Sequence, residues 1–162
     1  MTGRNKNKNK GVCYYCGAPG PTREHVPPIC FFPEIEDAKI YTDKDFRQQL
    51  ITVRSCKKHN NSKSPDDAYL LYLFFTYIYN NPEIQKIVLE KVKRAIKRNP
   101  RLSNIYKRNP RPVVIDDKTG VLKLGVNIDI DIFRVNSEID MMAHALYFYE
   151  YNECLSQKIK YF

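Results

Sequence analysis

The chain has 162 residues, 43% of them hydrophobic, a size that suits one domain or a compact motif carrying an extension. No apolar run approaches the roughly 20 residues of a membrane-spanning helix, and the basic start MTGRNKNKNKG leads into no apolar segment, so the expectation is a soluble, cytoplasmic protein. A net charge of +9 and a pI near 9.3 suit a polyanionic partner such as a nucleic acid backbone, or else a merely solvated basic face.

Residues 1–11 are polar and Lys/Asn-rich, with nothing to bury, and read as a disordered basic arm. Next come Cys13-Tyr-Tyr-Cys16, a Gly/Pro-rich turn (Gly17 to Pro21) and Thr22-Arg23-Glu24-His25-Val26-Pro27-Pro28, whose prolines end any strand holding His25. Residues 36–49 are charged and read as a surface connection. Leu50 to Val53 is a short strand running into Cys56-Lys-Lys-His59. Ser64-Pro65-Asp66-Asp67 starts a helix expected to reach about Tyr79, because Ser caps, Pro fits the first helical position and the aspartates suit the positive helix end.

Asn80-Asn81-Pro82 breaks that helix. A second, over Pro82–Arg98, has Ile84, Ile87, Val88, Val92, Ala95 and Ile96 on one side and basic residues over much of the rest. Arg98-Asn-Pro-Arg101 recurs as Arg108-Asn-Pro-Arg111, two copies that could flank a short helical turn. Val113–Ile115 and Val121–Leu124 read as a hairpin around Asp116 to Gly120. Asn136-Ser137-Glu138 opens a last helix with Ile139, Met142, Leu146 and Tyr149 on one face.

Two constellations carry chemistry. Cys13-x-x-Cys16 with Cys56-x-x-His59 supplies four soft or borderline ligands from two knuckles, the donor set of a closed, structural zinc site. Five cysteines are an odd number, and this spacing speaks for metal in a reducing compartment rather than for disulfides. The second constellation is Glu24-His25 after the first knuckle and Asn60 directly after the second. An imidazole can take a proton near neutral pH, and carboxylate and amide oxygens are the hard ligands that Mg²⁺ accepts. Consecutive strand residues point to opposite faces, so Glu24 and His25 need an irregular strand end to converge, which Pro27-Pro28 would supply.

This order of knuckle, acid-histidine strand, second strand, second knuckle, asparagine and helix resembles the HNH (His-Me finger) endonucleases. The resemblance spans about residues 12–68, through Glu24-His25-Val26-Pro27-Pro28 and Cys56-Lys-Lys-His59-Asn60-Asn61-Ser62-Lys63-Ser64. It implies that His25 activates water against a phosphodiester, while Glu24 and Asn60 hold one catalytic Mg²⁺ or Mn²⁺. It also implies an α+β fold, with a zinc-stapled ββα-metal, treble-clef-like module over 12–80. A mostly helical extension with a β-hairpin would follow over 81–162, packed on the module. The chain departs from the family in its leading glutamate, in His59 as fourth zinc ligand, and in lacking the middle asparagine, for which Gln48 or Gln49 could stand in.

The expected partner is DNA, with RNA possible, held by Lys63, Lys93, Arg94, Lys97 and Arg98. Rival readings are a non-catalytic treble-clef module that binds nucleic acid, and a protein-interaction domain stapled by zinc. His144 reads as a packed or half-exposed histidine, Cys30 and Cys154 as small core residues, and Asp66 and Asp67 as helix-start residues. Tyr69, Tyr72, Tyr77 and Tyr79 read as core and rim.

Overall fold

In the first strand, β1 (Thr22–Val26), side chains alternate between faces, so that Glu24 and Val26 are buried while Arg23 is exposed. It pairs antiparallel with β2 (Ile51–Ser55), whose β-branched Ile51, Thr52 and Val53 suit a pleated, half-buried surface. The register is unbroken from Thr22↔Ser55 to Val26↔Ile51. The computed structural model describes residues 11–39, 42–61, 64–75, 82–98, 100–116 and 120–156. The basic arm (up to residue 10), Lys63, Tyr77 and Tyr79 therefore lie outside the described residues.

Between the strands the charged connection forms a short helix, α1 (Ile35–Ala38). After β2 follow α2 (Lys57–Asn61) and α3 (Ser64–Phe75), with Asp66 and Asp67 in the first turn of α3 as expected. Then come α4 (Pro82–Arg98), a 3-10 turn (Pro100–Lys107) between the two Arg-Asn-Pro-Arg copies, and the hairpin of β3 (Arg111–Asp116) and β4 (Leu122–Asn127). The last helix is α5 (Ile132–Tyr151). The architecture is α+β: small antiparallel hairpins with helices. Among the described residues no helix is long and apolar enough to cross a membrane.

The chain folds as two compact units, each built from separate stretches of sequence. The first draws on residues up to 32, on 47–68 and on those from 133 onward, so α5 joins the knuckles and the β1–β2 hairpin. Its core is Tyr14, Val26, Val53, Met141, Ala145 and Phe148, with Cys154 packed against it. Arg134 on α5 pairs with Asp66 and donates to the Pro65 carbonyl, tying the first turn of α5 to the first turn of α3.

The buried face of α5 differs from the apolar stripe read from sequence. Glu138, Met141, His144, Ala145 and Phe148 are buried, whereas Ile139, Leu146 and Tyr149 are exposed. The helix also begins four residues before Asn136. It is apolar on two sides, and packing against the knuckle tyrosines rather than hydropathy selects the inner one.

The second unit comprises residues 33–46 and 69–132. Tyr69, Leu70, Leu71, Tyr72, Ile87, Val92 and Ala38 are its buried apolar residues. Arg94 on α4 pairs with Asp37 on α1 at 2.5 Å, and Tyr69 Oη accepts the backbone N–H of Asp131 at 2.7 Å. The β3–β4 hairpin leaves Val114, Leu122, Leu124 and Val126 exposed on one face.

Candidate metal centre and the His25 face

The first knuckle is a tight turn closed by its own backbone. Cys13 N–H donates to Ala18 O and Gly17 N–H to Cys13 O, with Gly17 at φ +71, a conformation that costs glycine little. At Gly20 a Cβ would lie 2.9 Å from the Val12 backbone, so the return of the turn also requires glycine. Tyr14 N–H donates to Arg54 O at 2.9 Å, which fastens this knuckle to the outer edge of β2. The second knuckle leaves β2 directly into α2, where Asn60 N–H donates to Cys56 O.

These two anchors bring Cys13, Cys16, Cys56 and His59 together. All four ligand atoms lie within 4.8 Å of one another. Cys13 Sγ is 3.6 Å from His59 Nδ1, Cys56 Sγ is 3.2 Å from the same atom, and Cys16 and Cys56 Sγ are 4.0 Å apart. Bond lengths near 2.3 Å to sulfur put the edges of a tetrahedral zinc site at about 3.7 Å, close to this spacing. The cluster can hold a metal ion such as zinc.

Burial pushes the Cys13 thiol up, but the backbone N–H groups of Cys56, Cys16 and Tyr15 and the His59 ring outweigh it, and the net effect is a pKa lowered to about 6. A thiolate at this position is what metal binding requires. Cys30, half-buried, is outside the cluster, and Cys154 Sγ reaches Cys13 O at 3.5 Å without joining it.

Sequence reasoning gave no role to the residue that joins this centre to α5. The Tyr15 ring sits between the His59 and His144 rings, with both centroid distances 4.7 Å, and its hydroxyl donates to Asp140 at 3.2 Å. His144 is buried here, 3.7 Å from Asp140.

The His25 side is built differently from expectation. β1 is regular through both Glu24 and His25, and its cis Val26–Pro27 bond comes after the paired segment. No irregularity turns Glu24 toward His25. Glu24 is 4% exposed on the core face, where Oε1 accepts the Tyr14 hydroxyl at 3.3 Å. Burial, and then the Glu24 charge, push the Tyr14 phenol far above its ordinary range, so this hydroxyl keeps its proton.

His25, half-buried, lies on the opposite face with Arg23, Thr52 and Arg54. Asn60 stays near this side of the module: its Nδ2 donates to Arg23 O at 3.4 Å, on the outer edge of β1. The structure therefore brings Asn60 to the His25 strand but not Glu24 to the His25 face. Gln48 and Gln49 are exposed in the turn before β2, and the neighbouring Arg47 donates to Phe32 O.

Glu24→Ala should consequently act on folding. It leaves the buried Tyr14 hydroxyl without this acceptor, at a cost of about 1–3 kcal/mol in urea unfolding. Unchanged stability would place the carboxylate outside the core.

Of the four basic residues singled out on α4, Lys93 pairs with Glu90 at 2.7 Å and Arg94 with Asp37. Lys97 and Arg98 are exposed and, among the described residues, make no ion pair. Comparison with known proteins found no matching family model, no matching curated protein and no matching solved structure.

Proposed function

We propose that this protein is a zinc-stapled endonuclease of the HNH type that hydrolyses DNA phosphodiester bonds, with His25 as general base. The observation that supports the reading is the placement of His25. It stands, half-buried, on the face of a two-stranded hairpin away from the core, the two ends of that hairpin run into the Cys/His knuckles, and the following helix returns Asn60 to the same strand. That is the order of parts in a ββα-metal module. His25 would accept a proton from water as the water oxygen bonds to phosphorus, the bond from phosphorus to the leaving oxygen breaks, and that oxygen takes a proton from solvent to leave as a hydroxyl. A net charge of +9 supplies non-specific attraction to the polyanion, with Lys97 and Arg98 as ready contributors.

Family resemblance also calls for a divalent cation between Glu24 and Asn60. The residues do not fit that seat, because the Glu24 carboxylate is in the core on the face opposite His25. The same observation favours a second reading, a non-catalytic zinc module that binds nucleic acid and needs neither group.

Supercoiled plasmid incubated with the zinc-loaded protein, with and without Mg²⁺ or Mn²⁺, separates the two. Nicked or linear product that appears with the added ion supports the endonuclease. Binding with no product under any divalent ion leaves the zinc module.

A further inference from the structure

Arg23 and Arg54 face each other across β1 and β2. Like charges at directly opposed positions are destabilising, and the hairpin does nothing to relieve them. Among the described residues neither arginine makes an ion pair; Arg23 Nη1 reaches only the Thr52 hydroxyl at 3.5 Å.

The backbone brings them closer still. Arg54 O accepts from Tyr14 N–H, and Arg23 O accepts from the Asn60 amide, so both carbonyls are used outside the hairpin. This is therefore a non-hydrogen-bonded pair of the ladder, the kind with Cα atoms only about 4.5 Å apart and side chains nearest together. The next such pair along the ladder is His25↔Thr52. The reach of Arg23 toward Thr52 carries its guanidinium toward that pair.

Two cations at opposed positions on one face of the hairpin, with no ion pair to a carboxylate among the described residues and with an imidazole on the same face, make a seat for an anion. We infer that Arg23 and Arg54 form a clamp for a phosphate of the polynucleotide backbone, placing it beside His25; the inference rests on the reading of a polynucleotide as ligand. Guanidinium forks match the paired oxygens of a phosphodiester, and binding the anion relieves the repulsion between them. The clamp would position the substrate, while His25 does the proton transfer.

The test is duplex-DNA binding by the full zinc-loaded chain without added Mg²⁺ or Mn²⁺, followed by fluorescence anisotropy at several KCl concentrations. For Arg23→Gln with Arg54→Gln, two lost phosphate contacts should flatten the log–log salt slope by about 1.8. Equivalently, the affinity ratio between about 50 and about 200 mM KCl should shrink roughly 12-fold. Arg23→Lys with Arg54→Lys should keep the wild-type slope. Zinc content and the thermal melt report folding, and if the double glutamine variant fails to fold, Arg23→Gln alone should flatten the slope by about 0.9.

A wild-type slope in the glutamine variants would overturn the clamp. If the wild type cuts plasmid while those slopes stay put, the endonuclease reading survives without the clamp. If it never cuts but the slopes flatten, the clamp survives as a binding site.

Discussion

Cys56→Ala is expected to release the zinc and unfold the β1–β2 hairpin with both knuckles. A two-stranded hairpin is marginal in water by itself. The two knuckles come from segments separated by β1, α1 and β2, so a metal held by all four residues would close a long loop of chain. Binding of zinc at such a site is folding free energy, about 10–16 kcal/mol in isolated zinc-finger peptides, and loss of one of four ligands forfeits a large share. Because His59 also stacks on Tyr15, the damage should reach α5. Elemental analysis of zinc per chain, with near-UV circular dichroism of the tyrosines, reads both effects. Cys30→Ser, outside the cluster, should leave zinc and spectrum unchanged. A Cys56→Ala protein that stays folded without zinc would remove the staple from the account.

His25→Ala is expected to keep zinc, fold and DNA binding while cleavage falls by about 10²–10⁴, the usual worth of a positioned general base. The half-buried ring lies on the face away from the core, so its removal should leave no buried group unsatisfied. The loss should appear in kcat with KM little changed, since a proton acceptor acts in the transition state. Arg23→Gln and Arg54→Gln should mainly raise KM, which tells positioning from proton transfer. A folded His25→Ala protein that cuts at the wild-type rate would exclude His25 as the base.

How much of this was readable from the residues varies with the physics. The Cys/His cluster is legible because two-residue knuckles carry their own local geometry, and four such donors have few other uses. The strands and α4 are legible from β-branched runs, proline punctuation and helical periodicity. The inner face of α5 is not, because Ile139 and Leu146 look as good a core as Met141 and Phe148 until Tyr14 and Tyr15 are in place. Glu24 misleads for a related reason. A carboxylate beside a histidine reads as a hydrophilic pair, yet strand alternation sends it to the core, where the Tyr14 hydroxyl is its partner. The Arg23–Arg54 pair is invisible in the sequence, since only the register opposes residues that are 31 apart.

The make-up of the first unit also sets a timetable for synthesis. Its core joins Tyr14, Val26 and Val53 to Met141, Ala145 and Phe148, so hydrophobic closure must wait for α5 to leave the ribosome. At about 5–20 residues per second, the nascent chain spends several seconds with the knuckles complete and the core open. During that interval a bound zinc ion would be the main tether on β1 and β2, with Tyr14 and Val53 still in reach of chaperones. Cells short of zinc should therefore lose this protein to proteolysis while it is being made, before any finished molecule could give up its metal.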